Sequence, residues 1–198
     1  FYQYIKMKNI WCIRHGTALH NVLFKDIGTK AYTLPKYRDT PLVGKGNLES
    51  LALGRTWDKK EDIEIIFVSP LTRTIQTATN IFKETKIKMI ANDNIMEYPQ
   101  AIEECNHRLS KVALKVQYPD IDFSNIPEES TYWKDSPEIE SLFDLKERSD
   151  HFKEMLRERP EKNICIVSHS TFLKEFLLGN VGNIEEELEH CSPFLFKL

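Results

Sequence analysis

The stretch NIWCIRHG, residues 9–16, decides how the chain is read. Ile10, Trp11, Cys12 and Ile13 make an apolar run of strand length, which stops at Arg14 and His15 just before Gly16. Polar side chains at the end of a buried strand are costly unless they are paired or used. In open parallel sheets, ligands bind outside the carboxyl ends of the strands, where the following helices aim backbone N–H groups and a partial positive charge. The stretch therefore predicts a buried strand with an anion site at its tip.

With residues 9–13, further apolar runs at 64–68, 88–91, 164–167 and 193–196 read as strands, and helical patterns at 71–84, 138–157 and 171–178 separate them. In the longest helix, Ile139, Leu142, Phe143, Phe152, Met155 and Leu156 fall at i, i+3, i+4 spacing and predict a core-facing stripe, with Pro160 beyond its end. Strands alternating with helices argue an α/β fold with a largely parallel central sheet. Residues 24–48 and 118–137, rich in Pro and Gly or Pro alone, read as irregular covers or disordered loops.

A chain of 198 residues with 41% hydrophobic composition supports one domain, residues 1–198, with a sizeable core. Its 27 basic and 30 acidic residues give no global field to favour nucleic acid or an anionic membrane, so neither is expected as a partner. Any anionic ligand must be held by a local cluster. Cys12, Cys105, Cys165 and Cys191 show no C-x-x-C spacing, which favours a reduced intracellular chain. No run reaches the ~18–20 apolar residues of a membrane span, and FYQYIKMK lacks a signal peptide's apolar centre. The expectation is a cytoplasmic protein, with Met7 compatible with a start and a homodimer left open.

Three strand ends share one feature. The first ends in Arg14-His15-Gly16, the second leads into Ser69-Pro70-Leu71-Thr72-Arg73, and a late one leads into Ser168-His169-Ser170. Each alone has an ordinary structural explanation. Together they bring two arginines and two histidines to one edge of the sheet, which suits an anion.

These residues resemble the histidine phosphatase superfamily, the clan of cofactor-dependent phosphoglycerate mutases and fructose-2,6-bisphosphatase. The resemblance is carried by RHG at 14–16, SPLTRTIQTA at 69–78 and VSHS at 167–170, in the family's order. His20-Asn21 resembles the RHGxxxHN form of phosphatase-like members, and RDTPLVGKG at 38–46 is similar to the family's D-x-x-L-T-x-x-G segment, with Val43 for Thr and Glu49-Ser50 for Gln-Ala as departures. CNHR at 105–108 and YPDIDFS at 118–124 are most similar to the phosphoglycerate mutase-like proteins of plants and protists.

The resemblance implies a three-layer α/β/α fold around a mostly parallel mixed sheet and a phosphohistidine mechanism with no metal or other cofactor. It makes His15 the nucleophile, kept neutral by neighbouring cations. Arg14, Arg73 and His169 would clamp the phosphoryl oxygens. Gly16 would let the phosphate approach the backbone. Asn21 and Ser170 join the substrate contacts, and Arg108 is the candidate for the rest of an anionic substrate, against an ordinary surface role. Because Ser170 follows His169 where one branch of the family has an aspartate, the leaving-group acid must come from elsewhere. The resemblance points to Glu97, whose carboxyl should be raised by burial and the bound dianion, ahead of Glu103 and Glu104.

A phosphorylated small molecule is the expected partner, and three functions compete. The first is a phosphatase acting on a small metabolite or a phosphoprotein; the second, a phosphoglycerate mutase; the third, a non-catalytic relative that binds a phosphorylated ligand. The short acidic segment after CNHR lacks the adjacent arginines with which mutases close their site, and water access favours hydrolysis. Four intact clamp and nucleophile residues argue against a non-catalytic relative. A metallohydrolase built on His15, His20 and His169 lacks the expected ligand spacing. His107, His151 and His190 read as ordinary and Trp11 and Trp57 as core. Trp133 reads as packing or the pocket mouth, and residues 185–189 as a solvated acidic face.

Overall fold

The apolar runs form a six-stranded sheet of order β4-β3-β2-β5-β1-β6. Its strands are β1 (Asn9–Arg14), β2 (Ile65–Val68), β3 (Met89–Ala91), β4 (Ile121–Asp122), β5 (Asn163–Ser168) and β6 (Pro193–Lys197). All neighbours are parallel except β6, which pairs antiparallel with β1. The sheet is therefore mixed and mostly parallel, as expected. The protein's structure is a computed structural model that describes residues 7–130, 138–183 and 186–198; Trp133 and Glu185 lie outside the described residues.

The helices are α1 (Leu19–Ile27), α2 (Lys30–Thr33), α3 (Gly44–Thr56), α4 (Thr72–Ile81), α5 (Lys111–Gln117), α6 (Leu142–Glu158) and α7 (Ser170–Leu178). None among the described residues is long and apolar enough to cross a membrane. Strand side chains alternate between two cores. Ile10 and Cys12, Ile65 and Phe67, and Ile164 and Ile166 join α6 and α7 through Leu145, Phe152, Phe172 and Phe176 on one face. Ile13, Ile66, Val68, Cys165 and Val167 meet Ile75, Ala78 and Ile81 of α4 and Leu114 of α5 on the other. Burying a Phe or Ile fully contributes about 1.5–3 kcal/mol, so two filled faces fix the sheet as the middle layer.

Several elements depart from the sequence expectation. Helix α6 starts at Leu142 because Ser141 caps it: Ser141 Oγ accepts from Asp144 N at 3.2 Å, and Asp144 Oδ2 accepts from Ser141 N at 2.8 Å. Ile139, Leu142 and Phe143 are exposed, and the buried face runs instead through Leu145, Arg148, Ser149, Phe152 and Leu156. Much of the 24–48 stretch is helical, and residues 118–137 contribute β4. Trp11 and Trp57 pack edge to face at 5.5 Å on the border of the second core.

Glycines at 44 and 46 mask α3 in the sequence, yet one of them is what lets it pack. A Cβ on Gly46 would lie 2.1 Å from Thr17 O, so α3 can press against the segment after β1 only with glycine there.

Candidate active site

Parallel pairing sets Arg14 level with Ser168 and Val68 level with Val167, so the tips of β1, β2 and β5 lie side by side. His15 is buried there. Its Nδ1 lies 2.7 Å from Gly16 O. A carbonyl only accepts, so the neutral ring carries its proton on Nδ1 and keeps its lone pair on Nε2. Arg73 Nε donates to that lone pair at 3.3 Å. Burial, and then the Arg73 guanidinium beside it, hold His15 well below its ordinary value of 6.5.

Arg73 enters from the first turn of α4, whose start is fixed from a distance. The buried Asp39 accepts from Thr72 N at 2.7 Å and from Thr72 Oγ1 at 2.8 Å, meeting the free N–H groups of a helix N-terminus. The rest of the Arg73 fork donates to Cys105 O at 2.6 Å and Asn106 Oδ1 at 2.8 Å. Asn106 Nδ2 donates in turn to Glu103 Oε2 at 3.0 Å. His169 packs its ring 5.1 Å from that of His15 and has Nε2 within 2.8 Å of Ser69 Oγ. Arg14 donates to Leu188 O and pairs with Glu187 Oε2, each at 2.6 Å. Arg14 Nε and His169 Nδ1 are buried with no hydrogen-bond partner.

A cavity of about 850 Å³ opens over Arg14, His15 and Arg73. Glu97 lies on its wall, in the loop after β3. The Glu97 carboxylate accepts from the backbone N–H of Tyr98 at 2.9 Å and, at the start of α7, from Phe172 at 3.2 Å and Thr171 at 3.3 Å. The loop is tied down by Arg148 of α6, which donates to Asn94 O and Met96 O, both at 2.7 Å, and pairs with buried Glu140. On the same wall, burial and the nearby charge of Glu97 push the Glu103 carboxyl up to about 7.

Glu103 therefore links pH to stability. Its unfolded value is 4.5 and its folded value about 7, so its contribution is fully present below pH 4.5 and is lost as pH rises through 7. Glu103→Gln should match the wild type in urea unfolding at pH 4 and exceed it by about 1–2 kcal/mol at pH 8. An equal difference at both values would show that the carboxyl is not raised.

The structure brings Arg14, His15, Arg73, His169 and Glu97 to one end of the sheet, and corrects the readings of Arg108 and Glu187. Arg108 is buried, with Nε and Nη2 donating to Asp93 at 3.0 Å each and the remaining donors to Leu109 O, Pro127 O and Glu128 O. It braces the segments after β3 and β4 and does not line the cavity. Ser170 Oγ accepts from Leu188 N at 2.9 Å, which tethers the C-terminal segment to α7. Gly16 N donates to Thr77 Oγ1 at 3.0 Å, and a Cβ on Gly16 would lie 2.6 Å from Gly46 O; its glycine serves packing against α3. Asn21 lines the cavity while its Oδ1 accepts from Ala18 N at 3.0 Å. Glu187, expected on a solvated face, pairs with Arg14.

Other groups at the site had no strong sequence signal. His190 Nδ1 donates to His15 O at 2.6 Å. His20, buried and held well below 6.5 by burial and Arg73, places Nδ1 2.5 Å from Thr40 Oγ1. Phe24 and Tyr32 line the cavity beside it, and the i, i+4 spacing of His20 and Phe24 on α1 could have suggested a shared face.

The family model of the histidine phosphatase superfamily (branch 1) matches residues 10–191. A phosphoglycerate mutase-like protein of Arabidopsis thaliana is 31% identical over 205 residues, covering 87% of this chain and 74% of that protein. Among solved structures, the ecdysone phosphate phosphatase of Bombix mori matches with a TM-score of 0.70 at 13% identity, covering 95% of this chain and 88% of that one. The alpha-ribazole phosphatase of Shigella flexneri matches with a TM-score of 0.64 at 20% identity, covering 94% and 89%.

Proposed function

Because the chain belongs to the histidine phosphatase superfamily, we propose that it is a cytoplasmic phosphatase that hydrolyses phosphate monoesters of small molecules through a phosphohistidine on His15. The observation that carries this reading is the tautomer. With Nδ1–H fixed on Gly16 O, the Nε2 lone pair lies on a cavity wall shared with Arg14 and Arg73, and Arg73 Nε, which donates to it at 3.3 Å, must release it for the attack. The solved structures of similar fold include phosphatases for quite different esters, which supports the reaction and leaves the ester to the cavity. Four cysteines without C-x-x-C spacing favour the cytoplasm.

In the first step Nε2 attacks phosphorus, the ester P–O bond breaks, and the departing oxygen takes a proton from Glu97. The positive charge on the ring is eased by the Nδ1–H bond to Gly16 O. In the second step water gives a proton to the Glu97 carboxylate and attacks phosphorus, and the N–P bond breaks to return the lone pair to Nε2. Arg14 and Arg73 hold the equatorial oxygens throughout, with Arg14 Nε and His169 Nδ1 as the buried donors left for them. No metal takes part, so excess chelator should not change the rate.

The test is the proton donor. Glu97→Gln should slow alkyl ester turnover by about 10²–10⁴-fold, slow phenyl phosphate much less in the first step, and make the phosphoenzyme persist. Normal dephosphorylation in Glu97→Gln, with a stall in Glu103→Gln, would move the role to Glu103. Phosphate release without any phosphoenzyme would remove the mechanism.

A further inference from the structure

We infer that the site takes phosphate monoesters whose alcohol portion carries an aromatic ring and no negative charge, rather than phosphorylated carboxylic acids. The inference rests on the phosphatase reading for the place of the phosphoryl group at His15, and concerns only what extends beyond it.

The first observation is the wall. Phe24 and Tyr32 lie stacked with ring centroids 5.2 Å apart and planes 12° from parallel, and His20 meets Tyr32 edge-on at 5.6 Å. Both Phe24 and Tyr32 line the cavity, and Phe24 is 44% exposed. A partly exposed ring at the end of an ordered stack offers its free surface to one more ring. At about 850 Å³ the cavity also lies near the top of the roughly 300–1,000 Å³ range of small-molecule sites, far more than a phosphoryl group and a three-carbon acid fill.

The second observation is charge. Among the described residues, Arg14 and Arg73 are the cations that line the cavity, and the phosphoryl group needs both. His15 and His20 are neutral at pH 7. The other ionisable carboxyls on the wall are Glu97, Glu103 and Glu187. Arg108, the candidate cation for the rest of an anionic substrate, is buried and paired with Asp93. A carboxylate in the alcohol portion would thus meet acidic side chains and no spare counter-ion, whereas a neutral or ammonium group needs none.

Phosphonates, which resist hydrolysis, separate this inference from the reaction. Calorimetry on the full chain at pH 7.5 should show 3-phenylpropylphosphonate binding about fivefold tighter than 3-cyclohexylpropylphosphonate, which is as apolar but has no π face. The 3-aminopropyl compound should bind at least about tenfold tighter than the 3-carboxypropyl compound. Phe24→Leu should bring the phenyl-to-cyclohexyl ratio toward one. Equal binding of phenyl and cyclohexyl compounds, carboxypropyl binding as tight as aminopropyl, or no binding of any phosphonate would overturn the inference. If the ranking holds but 2-phenylethyl phosphate is not hydrolysed, the phosphatase reading falls and the inference stands; hydrolysis without the ranking has the opposite meaning.

Discussion

His15→Ala should fold as the wild type does and release phosphate on the order of 10⁴-fold more slowly. The neighbouring histidines are each fixed by partners of their own. His20 has its Nδ1 on Thr40, His190 donates to the His15 carbonyl, and His169 sits against Ser69. The arginines that remain can still hold a phosphate ester, so binding should outlast turnover. The cost in stability should be small, about 1–2 kcal/mol, since the ring makes one backbone hydrogen bond and releases Arg73 Nε when lost. Colorimetric phosphate release, beside urea unfolding, reads both quantities. Turnover within tenfold of the wild type would remove His15 as nucleophile.

Arg73→Lys should cost about 10²–10³-fold in kcat/KM although it keeps the formal charge. The Arg73 fork reaches His15 Nε2, Cys105 O and Asn106 Oδ1 at once, from a fully buried position. An ammonium cannot reproduce that planar set, and burial would disfavour its charged form. Asn106 and the Cys105 carbonyl would also lose their donor, lowering stability by about 2–4 kcal/mol. Steady-state kinetics and urea unfolding on the same preparation check both effects; a lysine variant with wild-type kcat/KM would show that only charge matters at this position.

Local signals made part of this site legible in the sequence. Arg14 and His15 stand out because an apolar run precedes them, and the same contrast marks Arg73 and His169 after β2 and β5. Non-local partners were hidden. Arg108 is the last residue of the CNHR motif, yet its role is set by Asp93, distant in sequence and close in the fold. Asp39 and Asn106 act on residues 33 positions away in the chain. Helix α3 was masked by glycines that read as loop, and only its approach to Thr17 explains them. For α6, the apolar residues before Leu145 suggested a stripe, but the Ser141 cap sets the start and turns the first turn outward. The aromatic wall is hidden for a related reason: the stretch carrying Phe24 and Tyr32 reads as irregular, whereas it forms two short helices.

The central claim is a covalent phosphoryl group on His15 Nε2. Rapid quenching within milliseconds of mixing with excess phenyl phosphate, followed by mass spectrometry of the peptide that contains His15, tests it most directly. The account predicts one acid-labile, alkali-stable phosphoryl group on His15, formed and lost at rates that match turnover; phosphate release with no modified peptide, or with the group on another residue, would contradict it.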